Sequence, residues 1–131
     1  VQNRVYTIPP HTQLTISAGR LHVAPHTETA AWHHPFDHFL HSLALDCRER
    51  ATAVVLSGYD GDGSEGFMAI KAHGGTTYAQ DHSALVNEMP QHAMATGCVD
   101  YVLSPSQIAE HIQQESKNNI LSSVSGRSSP R

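Results

Sequence analysis

Ala51-Thr52-Ala53-Val54-Val55-Leu56-Ser57-Gly58-Tyr59-Asp60-Gly61-Asp62-Gly63 is an apolar, β-branched run that empties into a glycine-rich turn. Residues 51–56 show no polar–apolar alternation, which fits a strand covered on both faces, as in a parallel sheet. The turn leads into a helical segment carrying Phe67, Met68, Ile70 and Ala72, stopped by Gly74-Gly75. In open α/β sheets, ligands bind outside the carboxyl ends of the strands. A carboxylate on such a turn is placed to orient a histidine or to bind a cation. The amides of the helix that follows Asp62 would keep it ionised. Asp-Gly is also a common turn pair, so Asp60 and Asp62 as plain turn and capping residues remain open from spacing alone. A calcium loop built on Asp60, Asp62 and Glu65 lacks the other ligand positions.

Upstream, Pro35 opens a helix whose apolar stripe is Phe36, Phe39, Leu40, Leu43 and Cys47, closed by Arg48-Glu49-Arg50. Before it, Val5-Tyr6-Thr7-Ile8 reads as β-rich and ends at Pro9-Pro10. Leu14-Thr15-Ile16 and Leu21-His22-Val23 form a β-hairpin with Gly19 in the turn. Downstream come a short strand at residues 76–79, a helical turn at residues 92–96 and a strand at residues 99–103. Ser104 or Ser106 caps a last helix through Ile108 and Ile112. From Ser116 onward the composition turns serine-rich. The expected organisation is a domain over residues 1–115 and a flexible tail or linker over residues 116–131. The fold class is α/β: a partial three-layer α/β/α domain with a largely parallel sheet plus an N-terminal β-hairpin.

The 131 residues carry a formal charge of −4 with 8 Lys+Arg, scattered along the chain, which argues against nucleic-acid binding. No apolar run approaches a membrane span, and the start does not resemble a signal peptide. Cys47 and Cys98 are too few for a disulfide framework. They read as buried small hydrophobes in a reducing, cytoplasmic compartment. Histidine is abundant, 11 residues, with a run at His33, His34, His38 and His41. His34 and His38 could share a helical face with Asp37 or His26 as a third ligand. The plain reading is the polar face of an amphipathic helix, because zinc needs three or four convergent ligands. Trp32 beside them serves either packing or binding. No G-x-S-x-G elbow is present, and Ser64 reads as a helix cap.

The ordered blocks Val5-Tyr6-Thr7-Ile8-Pro9-Pro10, Gly19-Arg20-Leu21, residues 36–44, Val54-Val55-Leu56-Ser57-Gly58 with Asp62-Gly63, Ala79-Gln80-Asp81 and Met89-Pro90 resemble the CheB-type protein-glutamate methylesterase domain. The chain is similar to the C-terminal part of that domain, most like copies fused to a CheR-type methyltransferase. The resemblance implies hydrolysis of glutamyl methyl esters on methyl-accepting chemotaxis receptors, with glutamine deamidation in some members, by a Ser-His-Asp triad.

Asp62 matches the triad aspartate. The family's serine and histidine follow earlier strands and match no residue here, so the isolated chain is expected to be inactive. No cofactor and no metal are implied. Asp60 stands where the family usually has glycine, and its charge would raise the pKa of one of the two acids. Strands missing from the sheet would leave edges that promote self-association. The alternatives are a non-catalytic binding or regulatory module of the same fold and a His-rich metal-binding module.

Overall fold

The structure, a computed structural model, describes residues 3–25 and 34–124. β1 (Thr12–Ser17) and β2 (Arg20–Pro25) pair antiparallel, with Leu14 opposite Val23 and Ser17 opposite Arg20. Their two-residue turn, Ala18 and Gly19, has φ of 50° and 73°. Two positive φ values match the right-handed twist of the flanking strands. Helix α1 (Pro35–Cys47) holds this hairpin from behind. Asp46 accepts the Ala18 and Gly19 N–H groups at 2.7 and 3.0 Å, and the Ser42 hydroxyl accepts Ile16 N–H at 3.0 Å.

After the 3-10 turn Arg48–Arg50 come β3 (Thr52–Val55), α2 (Ser64–Ala72), β4 (Thr76–Gln80), α3 (Glu88–Ala95), β5 (Tyr101–Leu103) and α4 (Pro105–Val124). The three strands form a parallel sheet in the order β3-β4-β5. Ala53, Val55 and Ala79 point into a core completed by Ala44 of α1, Phe67 and Ile70 of α2, and Ala93 of α3. The opposite face at Tyr78 packs under α4. There the Tyr78 hydroxyl bonds His111 Nδ1 at 2.6 Å, and the ring stacks on Tyr101. Thr77, fully buried, joins β4 to the approach of β5: its hydroxyl donates to Cys98 O and accepts Asp100 N–H at 3.0 Å. The α/β class, the parallel sheet and the hairpin are therefore as the sequence implies.

Several local expectations are corrected. Residues 5–8 form no strand, and Val5 is fully open to solvent at 94% exposure. Burial along β3 alternates instead of covering both faces. The reason is that α4 lies over Tyr78 and leaves Val54 and Leu56 exposed. Ser64 is not the cap of α2. That position is Gly63 at φ 104°, and the buried Ser64 Oγ has no hydrogen-bond partner. Cys47 and Cys98 are half-buried rather than buried. Ser104 does cap α4, accepting Gln107 N–H at 3.3 Å while Gln107 Oε1 accepts Ser104 N–H at 3.1 Å. α4 runs on to Val124, so the stretch expected as a tail from Ser116 begins as helix. Residues 125–131 lie outside the described residues, as do His26, Trp32 and His33.

Candidate active site

The turn after β3 is fixed by its neighbours before any acid is considered. Ser57 N–H donates to the buried Gln80 Oε1 at 2.8 Å, and the Ser57 hydroxyl accepts Val86 N–H at 2.9 Å. Gly58 exchanges backbone bonds with Val86 and Met89. A Cβ at Gly58 would lie 2.5 Å from Met89 Sδ, so the start of α3 packs directly on bare backbone. Asp60 takes a left-handed conformation, φ 62°, which aspartate tolerates better than most residues. Its Oδ1 accepts Asp62 N–H at 2.7 Å, and its own N–H donates to Glu88 Oε2 at 3.0 Å. The turn therefore presents Asp62 inward.

Asp62 is 7% exposed, and its carboxylate is held by two amides. Oδ2 accepts Phe36 N–H at 3.0 Å and Oδ1 accepts Asp37 N–H at 2.9 Å. These are first-turn amides of α1, not of the helix that follows Asp62. Asp37, also 7% exposed, does the converse: its Oδ1 accepts Gly66 N–H of α2 at 2.8 Å. Neither helix has a side-chain cap of its own, since the capping positions are His34 and Gly63. Each borrows an acid from the start of the other. First-turn N–H groups need acceptors, and the helix N-terminus favours negative charge, so both terms hold the two acids in place.

Burial pushes the Asp62 carboxyl up from its ordinary value, and the nearby Asp37 charge adds to the rise. The Phe36 and Asp37 N–H bonds and His34 oppose that rise. The acid that raises Asp62 is thus Asp37, where the sequence pointed to Asp60. Each carboxylate oxygen of Asp62 already holds one N–H and keeps a second acceptor site for an incoming donor such as an imidazole N–H. His34 Nδ1 lies 3.8 Å from Asp37 Oδ2 and 3.9 Å from Asp62 Oδ1. These three residues are the one group among the described residues with ligand atoms close enough to share a cation. Three of the four carboxylate oxygens are already committed to backbone N–H groups, so helix capping accounts for the arrangement. His38, the expected companion of His34, is not in the group.

The acid at the carboxyl end of a parallel strand, buried and amide-held, defines an α/β domain with a preorganised carboxylate. Residues 1–112 match the CheB methylesterase family, and the chain belongs to it. It is 35% identical over 128 residues to the protein-glutamate methylesterase/protein-glutamine glutaminase of the group 3 operon of Rhizobium meliloti, covering 96% of this chain and 34% of that protein. It is 39% identical over 109 residues to an uncharacterised 104.1 kDa protein of Rhodobacter capsulatus, covering 82% of this chain and 11% of that one. The crystal structure of the Thermotoga maritima CheB methylesterase catalytic domain superposes with a TM-score of 0.66 at 29% identity, over 77% of this chain and 55% of that domain. The chain thus spans about a third or less of those two relatives and about half of the solved domain.

Proposed function

We propose that Asp62 is the orienting acid of a Ser-His-Asp triad in a protein-glutamate methylesterase, with the nucleophile and base supplied by chain beyond these 131 residues. The observation that carries the reading is the Asp62 carboxylate, buried beyond β3 and held by the Phe36 and Asp37 amides with an acceptor site free on each oxygen. In that role it accepts the imidazole N–H, fixes the tautomer and stabilises the imidazolium formed when the serine attacks the ester carbonyl. Substrates are glutamyl methyl esters on chemotaxis receptors, with glutamine deamidation as a second activity, in keeping with the double name of the Rhizobium relative. Residues 1–115 are the C-terminal part of the methylesterase domain, in a cytoplasmic protein. The small share covered of the 104.1 kDa relative supports a larger parent chain, and the fusion partner proposed for it is a CheR-type methyltransferase. No described helix is long and apolar enough to cross a membrane.

The test is hydrolysis of a methylated receptor by this chain alone and fused to the preceding segment of a family member. Activity is expected only in the fusion. Asp62→Ala should lower kcat there by about 10⁴-fold, the order seen when a triad aspartate is disabled. Turnover by the chain alone, or full activity in Asp62→Ala, would overturn the assignment.

A further inference from the structure

We propose that Asp37 is a positioning residue for Asp62, acting through the Gly66 amide to set where the Asp62 carboxylate meets α1. Its catalytic meaning rests on the triad reading of Asp62, but the geometry stands without it. Asp62 and Gly66 lie at the two ends of one short turn, Asp62-Gly63-Ser64-Glu65-Gly66. Asp37 grips both ends: its N–H holds Asp62 Oδ1 at 2.9 Å and its carboxylate holds Gly66 N–H at 2.8 Å. Gly63, the capping position of α2 within that stretch, has φ 104°, a conformation that L side chains rarely adopt. The grip at the Gly66 end ties the first turn of α2, which also packs on Leu40, to the same residue that holds the carboxylate. Asp37 is buried and its Oδ1 is spent on this one bond, which is costly unless well satisfied.

Charge and position are separable by two substitutions in the chain as it stands. Asp37→Asn removes the charge and keeps an oxygen for Gly66 N–H. Asp37→Ala removes both. The charged and titratable groups facing Asp62 are Asp37, His34 and Asp60, whose Oδ1 accepts the Asp62 N–H. The readouts are carbon-detected NMR titration of the Asp62 carboxylate and the amide proton shifts of Phe36, Asp37 and Gly66. Asp37→Asn is expected to lower the Asp62 midpoint, since a like charge is gone, and to leave the Phe36 amide near its wild-type shift. Asp37→Ala is expected to give a higher midpoint than Asp37→Asn, because the Phe36 and Asp37 bonds to Asp62 loosen. Its Phe36 amide should also move upfield. Equal midpoints in the two variants with an unmoved Phe36 amide would overturn the proposal, leaving Asp37 a charge and a cap only. Because no turnover is read, an inactive fusion in the esterase test would count against the triad and not against this inference.

Discussion

Adding one methyl group at Gly66 sets two physical effects of opposite sign against each other. Alanine in place of a helical glycine ordinarily stabilises by about 0.5–1 kcal/mol through backbone entropy. Here the new Cβ would fall 2.5 Å from Leu40 Cβ, 2.7 Å from Leu40 Cδ1 and 3.1 Å from Leu40 Cγ. The two outer atoms can rotate away. Leu40 Cβ cannot, because the α1 backbone fixes it, so α1 and α2 must part by roughly 1 Å to reach an ordinary carbon–carbon separation of about 3.5–4.0 Å. That movement also stretches the 2.8 Å bond from Gly66 N–H to Asp37. Overpacking of this kind costs about 1–3 kcal/mol, and a hydrogen bond to a charged group is worth about 1.5–3. With part of that bond lost and the entropy gain subtracted, Gly66→Ala should destabilise by about 1–3 kcal/mol.

Urea unfolding followed by far-ultraviolet circular dichroism reads this as a lower midpoint at unchanged slope. Leu40→Ala alone should cost roughly 1–3 kcal/mol, below the range for a fully buried leucine, since Leu40 is half-buried. The double variant should be less unstable than the sum by roughly 1 kcal/mol, the usual scale for touching pairs. The relief stays partial because Cβ remains at position 40. A stabilised Gly66→Ala, or strict additivity in the double variant, would refute the packing of α2 on α1 and with it the mutual capping of the two helices.

Asp100 supplies a pH test. Burial pushes its carboxyl up, but the Lys71 ammonium at 2.8 Å and bonds from Thr77 outweigh that and hold it below its ordinary value of 3.8. A carboxyl lowered in the folded state adds stability above its unfolded pKa and loses it as pH falls below. Lys71→Met should flatten the fall in urea midpoint below about pH 4, and an unchanged acid limb would refute this account. Asp62 has the opposite sign, its raised carboxyl eroding stability as pH climbs from 3.8 toward its folded pKa. The exposed Val54 on β3, which pairs on one side only among the described residues, should make this chain self-associate in sedimentation velocity runs, and Val54→Lys should shift it toward monomer. A wild-type monomer at high concentration would rule that out.

The parts of the site legible in the sequence were those fixed by neighbours along the chain. The apolar run at residues 51–56 and the Gly-Tyr-Asp-Gly-Asp-Gly turn by themselves place Asp62 at a strand's carboxyl end. What could not be read was which amides hold it. Local reasoning assigned them to the helix that follows, whereas the donors, Phe36 and Asp37, stand 26 and 25 residues earlier. One clue was present: α1 begins His34-Pro35 with no Ser, Thr, Asp or Asn to cap it, so its first amides needed an acceptor from elsewhere. The exposure of Val54 was likewise invisible, because a run of apolar residues reports its own hydrophobicity and not how far a covering helix extends. Residues 5–8 misled for a similar reason: β propensity expresses a readiness to pair and cannot supply the partner.

The anchoring of the hairpin changes how the molecule can be engineered. A two-residue hairpin tip is ordinarily the first choice for grafting a tag or epitope, since exposed tips tolerate inserted chain. At Ala18 and Gly19 both tip amides are tied to Asp46 near the far end of α1, whose opposite end clasps Asp62. Cargo spliced there would lever the helix that seats the acid. Leu85, though 97% exposed, is no gentler a point of entry, since the adjoining Val86 holds Ser57 and Gly58 of the turn that carries the acid.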